Sequence, residues 1–149
     1  MDDIRGYNVL NGSMATMWWN GKPVYECMAV NADVLLNRNE VLIGMDVDKK
    51  LTSAGGELTL KIYHVYTRVA EEMQDAIRQG HDPRGVLRSR IADPDAVGKQ
   101  AESVVLNNVW LDKYPLIAWE RGNTEAQEIT GGFTPTHAQI TEAIREIAA

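Results

Sequence analysis

Between Val24 and Leu36 the chain alternates in steps of two, and this limits its fold more than any other feature. Val24, Met28, Val30, Ala32, Val34 and Leu36 fall on one face, interrupted by Glu26; Tyr25, Cys27, Ala29, Asn31, Asp33 and Leu35 fall on the other. A repeat of two residues is the signature of a strand and is incompatible with one face of a helix. A strand of this length bends or carries a bulge partway. Just upstream, Asn20-Gly21 separates two apolar runs, MATMWW and KPVYECMAV. Both residues tolerate positive φ, so the pair predicts a tight hairpin.

Asn37 to Asn39 breaks the alternation, which resumes with Val41, Ile43, Met45 and Val47. Residues 46–56 read as a polar, mobile loop returning to a strand through Gly55-Gly56. Leu58, Leu60 and Ile62 then share a strand face. After Tyr66 the period changes: Val69, Ala70, Met73 and Ile77 lie at helical spacing, with Thr67 as N-cap and Gly80 as stop, predicting a helix from Thr67 to Gln79. HDPRG is a turn and DPDAVGKQ a loop. VLRSRIA, ESVVLNNVWL, LIAWERG and TEAQEITGGFTP read as strands. At the end, Ile140, Ile144 and Ile147 form a helical stripe, with Thr136 and Gln139 as a capping box or Thr134-Pro135 as an alternative start. A terminal helix is therefore expected over 136–149, and residues 1–12 read as an arm. The sum is a mainly β (α+β) domain: an antiparallel sandwich or open barrel with one packed internal helix and a short C-terminal helix.

The 149 residues suit one domain with its own core. A formal charge of −6 argues against a phosphate-binding surface, which needs excess Lys and Arg. The lone Cys27 cannot close an intrachain disulfide, which fits an intracellular origin; a small buried hydrophobe explains it better than a reactive thiol. MDDIRGYN has neither a basic nor an apolar leader region, and no apolar run is long enough to span a bilayer, so no membrane partner is expected.

No constellation announces chemistry. His64, His81 and His137 lack the short spacing of metal ligands, and no cofactor or metal is expected. Gly55-Gly56 and Gly131-Gly132 do not open helices as phosphate loops do. Ser13, Ser53, Ser89 and Ser103 lack a nucleophile-elbow context. Arg84, Arg88 and Arg90 make a basic cluster open to two readings, a phosphate patch or a contact with an acidic neighbouring surface. Trp18 and Trp19 point to opposite faces if both are in a strand, and core filling and a subunit interface both account for them.

NGSMATMWWNGKPVYE, NEVLIGMDVDKKLTSAGGELTLKIYHVYTRV and GHDPRGVLRSRIADPDA, taken in order, resemble the tail-tube (core tail) proteins of contractile-tailed phages, PBSX-type prophages and R-type bacteriocins. The likeness runs from Asn11 to Thr134; the expected C-terminal helix departs from it. The resemblance implies a non-enzymatic β-sandwich subunit, six copies per ring, and rings stacked into a hollow tube inside a contractile sheath. Its implied partners are further copies of itself, a sheath protein, tape-measure and baseplate or initiator proteins, and DNA as transient cargo. The implied location is a virion or phage-like tail assembled in the bacterial cytoplasm. The resemblance also places Asp48, Lys49, Lys50, Thr52, Ser53, Gly55 and Gly56 between stacked rings. Asn31, Asp33, Asn37, Glu125 and Glu128 are candidates for the lumen wall; Trp18, Trp19, Arg88, Arg90 and Ile144 are candidates for contacts between subunits. A type VI secretion tube component and a small ligand-binding β-barrel are the alternatives.

Overall fold

The computed structural model describes residues 5–8, 10–63, 67–124 and 126–145. Within them lie strands β1 (Ala15–Trp19), β2 (Lys22–Pro23), β3 (Cys27–Ile43), β4 (Asp46–Ile62), β5 (Gly85–Ile91), β6 (Glu102–Lys113), β7 (Gln127–Phe133) and β8 (Ala138–Glu142), and one helix, α1 (Arg68–Arg78). The strands pair in the order β2-β1-β5-β6-β7-β4-β3, with β8 added on β6, and every pairing is antiparallel. The mainly β domain with a packed internal helix is thus as expected.

The Asn-Gly signal holds. Asn20 and Gly21 both have positive φ, 50° and 83°, and turn β1 into β2 with Trp19 opposite Lys22. The next hairpin differs from expectation. Asn37 to Asn39 does not end a strand: β3 runs straight through it, and the chain reverses at Gly44-Met45, where Gly44 has φ 62°. Residues 46–56 are therefore strand, not loop, and pair with β3 from Asp46 opposite Ile43 to Gly56 opposite Val34. Polar side chains are no obstacle to a ladder built from backbone groups, and Glu40 faces Lys49 across it as an opposite-charge pair. The bulge expected within the Val24–Leu36 stretch is present, as a register shift at Cys27/Ala29, and a second lies beyond it at Asn37/Arg38. There Thr52 Oγ1 donates to the Asn37 carbonyl (3.1 Å) and Asn37 Nδ2 donates to Ser53 Oγ (3.1 Å).

β6 belongs to both halves of the sheet. One edge carries β5 from Glu102 to Val109; the other carries β8 along Ser103–Leu106 and then β7 along Trp110–Lys113. β7 and β8 are joined by a 3-10 turn, Pro135–His137. The terminal helix expected over 136–149 is therefore replaced by a strand as far as Glu142. A helix of about three turns is too short to hold itself in water, whereas the strand satisfies β6's second edge. Ile144 is half-buried beyond β8, and Ile147 lies outside the described residues. The clasp is completed by Gln100, whose amide donates to the Arg145 carbonyl (2.8 Å) and accepts from its N–H (3.0 Å). LIAWERG, expected as a strand, lies in an irregular run over 114–124.

Met17, Trp19, Leu87 and Leu106 from one half of the sheet and Leu58, Leu60, Ile129 and Phe133 from the other close over one core, with Met73 of α1 added from the side. Trp19 Nε1 donates to Glu72 of α1 (3.2 Å), and the Tyr114 hydroxyl donates to Gln74 (2.6 Å). Thr67 precedes the helix as expected, but its hydroxyl bonds the Glu71 carboxylate rather than capping the backbone. Ile77, read as core-facing, is more than half exposed.

Strands β4, β7 and β6 crowd together at Gly132, where an added Cβ would lie 2.7 Å from the Trp110 ring and 2.8 Å from the Gly56 carbonyl. Gly132→Ala should therefore destabilise the domain by about 1–3 kcal/mol through overpacking. Gly55→Ala, which meets nothing within 4 Å, should be close to neutral. Urea unfolding of both variants checks the contrast.

Candidate assembly surface

The β3–β4 hairpin outruns the core that supports it. From Gly56 to Ile62, β4 pairs with β3 on one edge and β7 on the other; from Asp46 to Gly55 it pairs with β3 alone. In the inner half, Leu58 and Leu60 are buried. The same face continues outward through Val34, Leu36, Leu42, Val47 and Leu51, all exposed, and the opposite face carries exposed Leu35, Val41 and Ile43. Leu42 is 75 % exposed and Met45 wholly so. A two-stranded ribbon apolar on both faces is marginal in water by itself, and exposed apolar area of this extent sets the arm apart from the rest of the surface.

Asp48, Lys49, Lys50, Thr52 and Ser53 stand on this projecting arm and are all exposed. Gly55 and Gly56 are mid-strand rather than hinges of a loop. Gly56 is there because a Cβ would come within 2.6 Å of the Phe133 carbonyl and 2.8 Å of its ring.

Asn31, Asp33, Asn37 and Glu128 are brought onto one face. The cross-strand rows Asn31–Thr59–Thr130, Asp33–Glu57–Gly132 and Ala29–Lys61–Glu128 all lie on the side away from Leu58 and Leu60. That face is hydrophilic and mixed in sign, with Asp33, Glu57 and Glu128 set against Lys61 and Lys113. Glu125 lies outside the described residues. Trp110 covers Gly132 on the same side, with the Arg84 guanidinium 4.9 Å from its ring centre.

The proposed subunit contacts separate. Trp19 is buried, so its place is the core and not a contact surface, whereas Trp18 faces outward beneath Arg88, 5.0 Å from its ring centre. Arg88 also donates to the buried Ser103 hydroxyl (3.3 Å). Arg90 reaches across β6 to Glu142 (3.2 Å), so both arginines already have partners within the chain. His81 and His137 lie apart in a turn and a 3-10 turn, and His64 is outside the described residues. Among the described residues no three His, Cys, Asp or Glu side chains gather as metal ligands.

Two features escaped the sequence reading. One is the arm itself, whose signal was the single glycine at Gly44. The other is the apolar run Leu116, Ile117 and Trp119, with Ile117 83 % and Trp119 76 % exposed. It overhangs a hollow of about 1000 Å³ against Tyr63 and β7.

Residues 2–137 match the family described as "Phage tail tube protein". The Phage-like element PBSX protein XkdM of Bacillus subtilis (strain 168) is 24 % identical over 145 residues, covering 96 % of this chain and 97 % of that one. In fold, the chain is similar to the anti-feeding prophage cap (AFP tube terminating cap), with TM-score 0.69, 15 % identity and coverage of 95 % and 97 %. It is also similar to a chain of the sheath-tube complex of the extracellular contractile injection system PVC, with TM-score 0.68, 10 % identity and coverage of 91 % and 93 %.

Cys27 is half-buried at the start of β3. Burial pushes its thiol pKa up and the Glu26 carboxylate adds to this, partly offset by a backbone hydrogen bond at Ala29. Since the thiolate is the reactive form, alkylation by iodoacetamide should be slower in the folded subunit than in urea. Its rate should still be climbing at pH values where an ordinary thiol, with pKa about 8.5, has levelled off. Equal rates in both states would contradict this.

Proposed function

The chain belongs to the phage tail tube protein family, and from that premise we propose that it is the tube subunit of a contractile phage or phage-like tail. Six copies close into a ring, and rings stack into a hollow inner tube. The role is mechanical: the protein makes surfaces and lines a channel, and its side chains make or break no covalent bonds.

The free edge of β3 carries this reading. β3 ends the strand order, so one edge of a 17-residue strand meets β4 and no described strand of the subunit pairs with the other. An unpaired edge of that length is a template for a second chain. Pairing it to a neighbour round a ring satisfies its backbone groups and leaves no open end. The projecting arm then lies between successive rings, where its apolar faces are covered. The hydrophilic face bearing Asn31, Asp33, Asn37 and Glu128 is the wall of the lumen. Its carboxylates and amides keep that wall hydrated, and Asp33, Glu57 and Glu128 balance Lys61, Lys113 and Arg84, so there is no excess of cations to hold a phosphate backbone and DNA passes as transient cargo. The outer face with Trp18 and Arg88 meets the sheath; tape-measure and baseplate or initiator proteins set where the tube starts and ends. Assembly takes place in the host cytoplasm, and the product is the tail of a virion or phage-like particle.

Negative-stain microscopy of the purified chain, alone and with tail-initiating components, should show six-fold rings or tubes. A chain that remains monomeric by light scattering at high concentration in both settings would overturn the proposal.

A further inference from the structure

The exposed apolar surface is concentrated in two places. Of the twenty most exposed large apolar side chains among the described residues, nine lie on the arm between Val34 and Leu51, and four, Tyr63, Leu116, Ile117 and Trp119, lie at the hollow. These two places stand at opposite ends of one strand pair. The arm ends at Gly44-Met45, where β4 begins; the hollow lies where β4 ends, at Ile62-Tyr63, beside Gln127 at the start of β7 and beyond Lys113 at the end of β6. The distance between them is the length of β4, roughly 55 Å for 17 residues at about 3.3 Å each. A copy's tip therefore cannot reach its own hollow.

We propose that the hollow under residues 114–124 receives the hairpin tip of a second copy of this chain, Leu42, Ile43, Met45 and Val47 seating against Leu116, Ile117 and Trp119. The inference rests on the tube reading above and names the receiving surface for its arm. Knob and socket on opposite ends of the same sheet make a heterologous contact; with the ring already closed through the edge of β3, this contact runs from one ring to the next along the axis. The hollow is large enough for several side chains, and its apolar rim offers what the tip lacks in the free subunit. The rim also presents Trp119, 76 % exposed and with the Arg121 guanidinium 5.9 Å from its ring centre, the residue type that anchors interface cores.

The test is disulfide trapping in assembled tubes, with Cys27→Ser in every chain. Met45→Cys copies are mixed with an equal amount of Ile117→Cys copies, assembled and oxidised. Where a variant does not elongate alone, both are diluted into parent chain. Each copy carries one thiol, so a tip in the hollow gives a discrete covalent dimer on a non-reducing gel. Neither variant by itself should dimerise, nor should Met45→Cys mixed with Val86→Cys, since Val86 is exposed on the other half of the sheet. Leu42→Cys with Leu116→Cys serves as a second pair. Tubes that form without a dimer from either tip–hollow pair would overturn the hollow as receptor and leave the tube reading standing. Failure of the unsubstituted chain to form rings or tubes even with initiating components would overturn both.

Discussion

The place where β7 stops governs the rest of this molecule. As far as Gly56, β4 is an interior strand, bonded on both edges and packed on one face by Leu58 and Leu60. The Phe133 ring presses on Gly56 so closely that no side chain could stand there. Beyond that point β7 turns away through the 3-10 corner at Pro135–His137 to become β8 on the other half of the sheet. β3 and β4 must go on as a pair without it. The same corner that closes the core thus creates the arm: one chain segment cannot cover both the outer end of β4 and the second edge of β6.

The cost of this division falls on the arm. Inside the core, each large apolar side chain removed from water contributes about 1.5–3 kcal/mol. On the arm the same residue types on the same alternating face contribute little in the free subunit, because no layer lies over them. What holds the ribbon there is its own ladder, the bulge bonds between Asn37, Thr52 and Ser53, and the Glu40–Lys49 row. The subunit is in this sense unfinished, and the surface it leaves open is large, directional and apolar.

How much of this the sequence revealed depended on how local each signal was. Asn20-Gly21 and the helix at Val69, Ala70 and Met73 were legible because both features are decided within a few residues. The long alternation through Val30 and Val34 correctly declared a strand with a mixed second face, and that face does gather Asn31, Asp33, Asn37 and Glu128. Alternation says nothing of where the core stops, however, so the polar run at Asp48 to Ser53 read as a loop when it is a ladder without a cover. The C-terminal segment failed for a different reason. Ile140 and Ile144 fit one turn of a helix, and Ala138, Ile140 and Glu142 equally fit alternate positions of a strand; the vacant edge of β6, set by residues more than thirty positions earlier, decided between them. Trp19 was likewise undecidable until its partners in the core were known.

A sheet edge and an apolar ribbon this exposed would be an aggregation hazard if they were featureless. The charges on the arm answer that. Arg38, Glu40, Asp46, Asp48, Lys49 and Lys50 interrupt its apolar positions on both strands, so two arms laid together at random would bring like charges together as often as unlike ones, desolvating them without a fixed partner. The net charge of −6 adds a general repulsion between free copies. In the docking proposed above, the receiving surface takes Leu42, Ile43 and Met45 while leaving the flanking charges in water. The polarity that made residues 46–56 look like a loop is thus what permits them to be a strand in the open: the charges keep the ribbon soluble although its apolar positions stand uncovered.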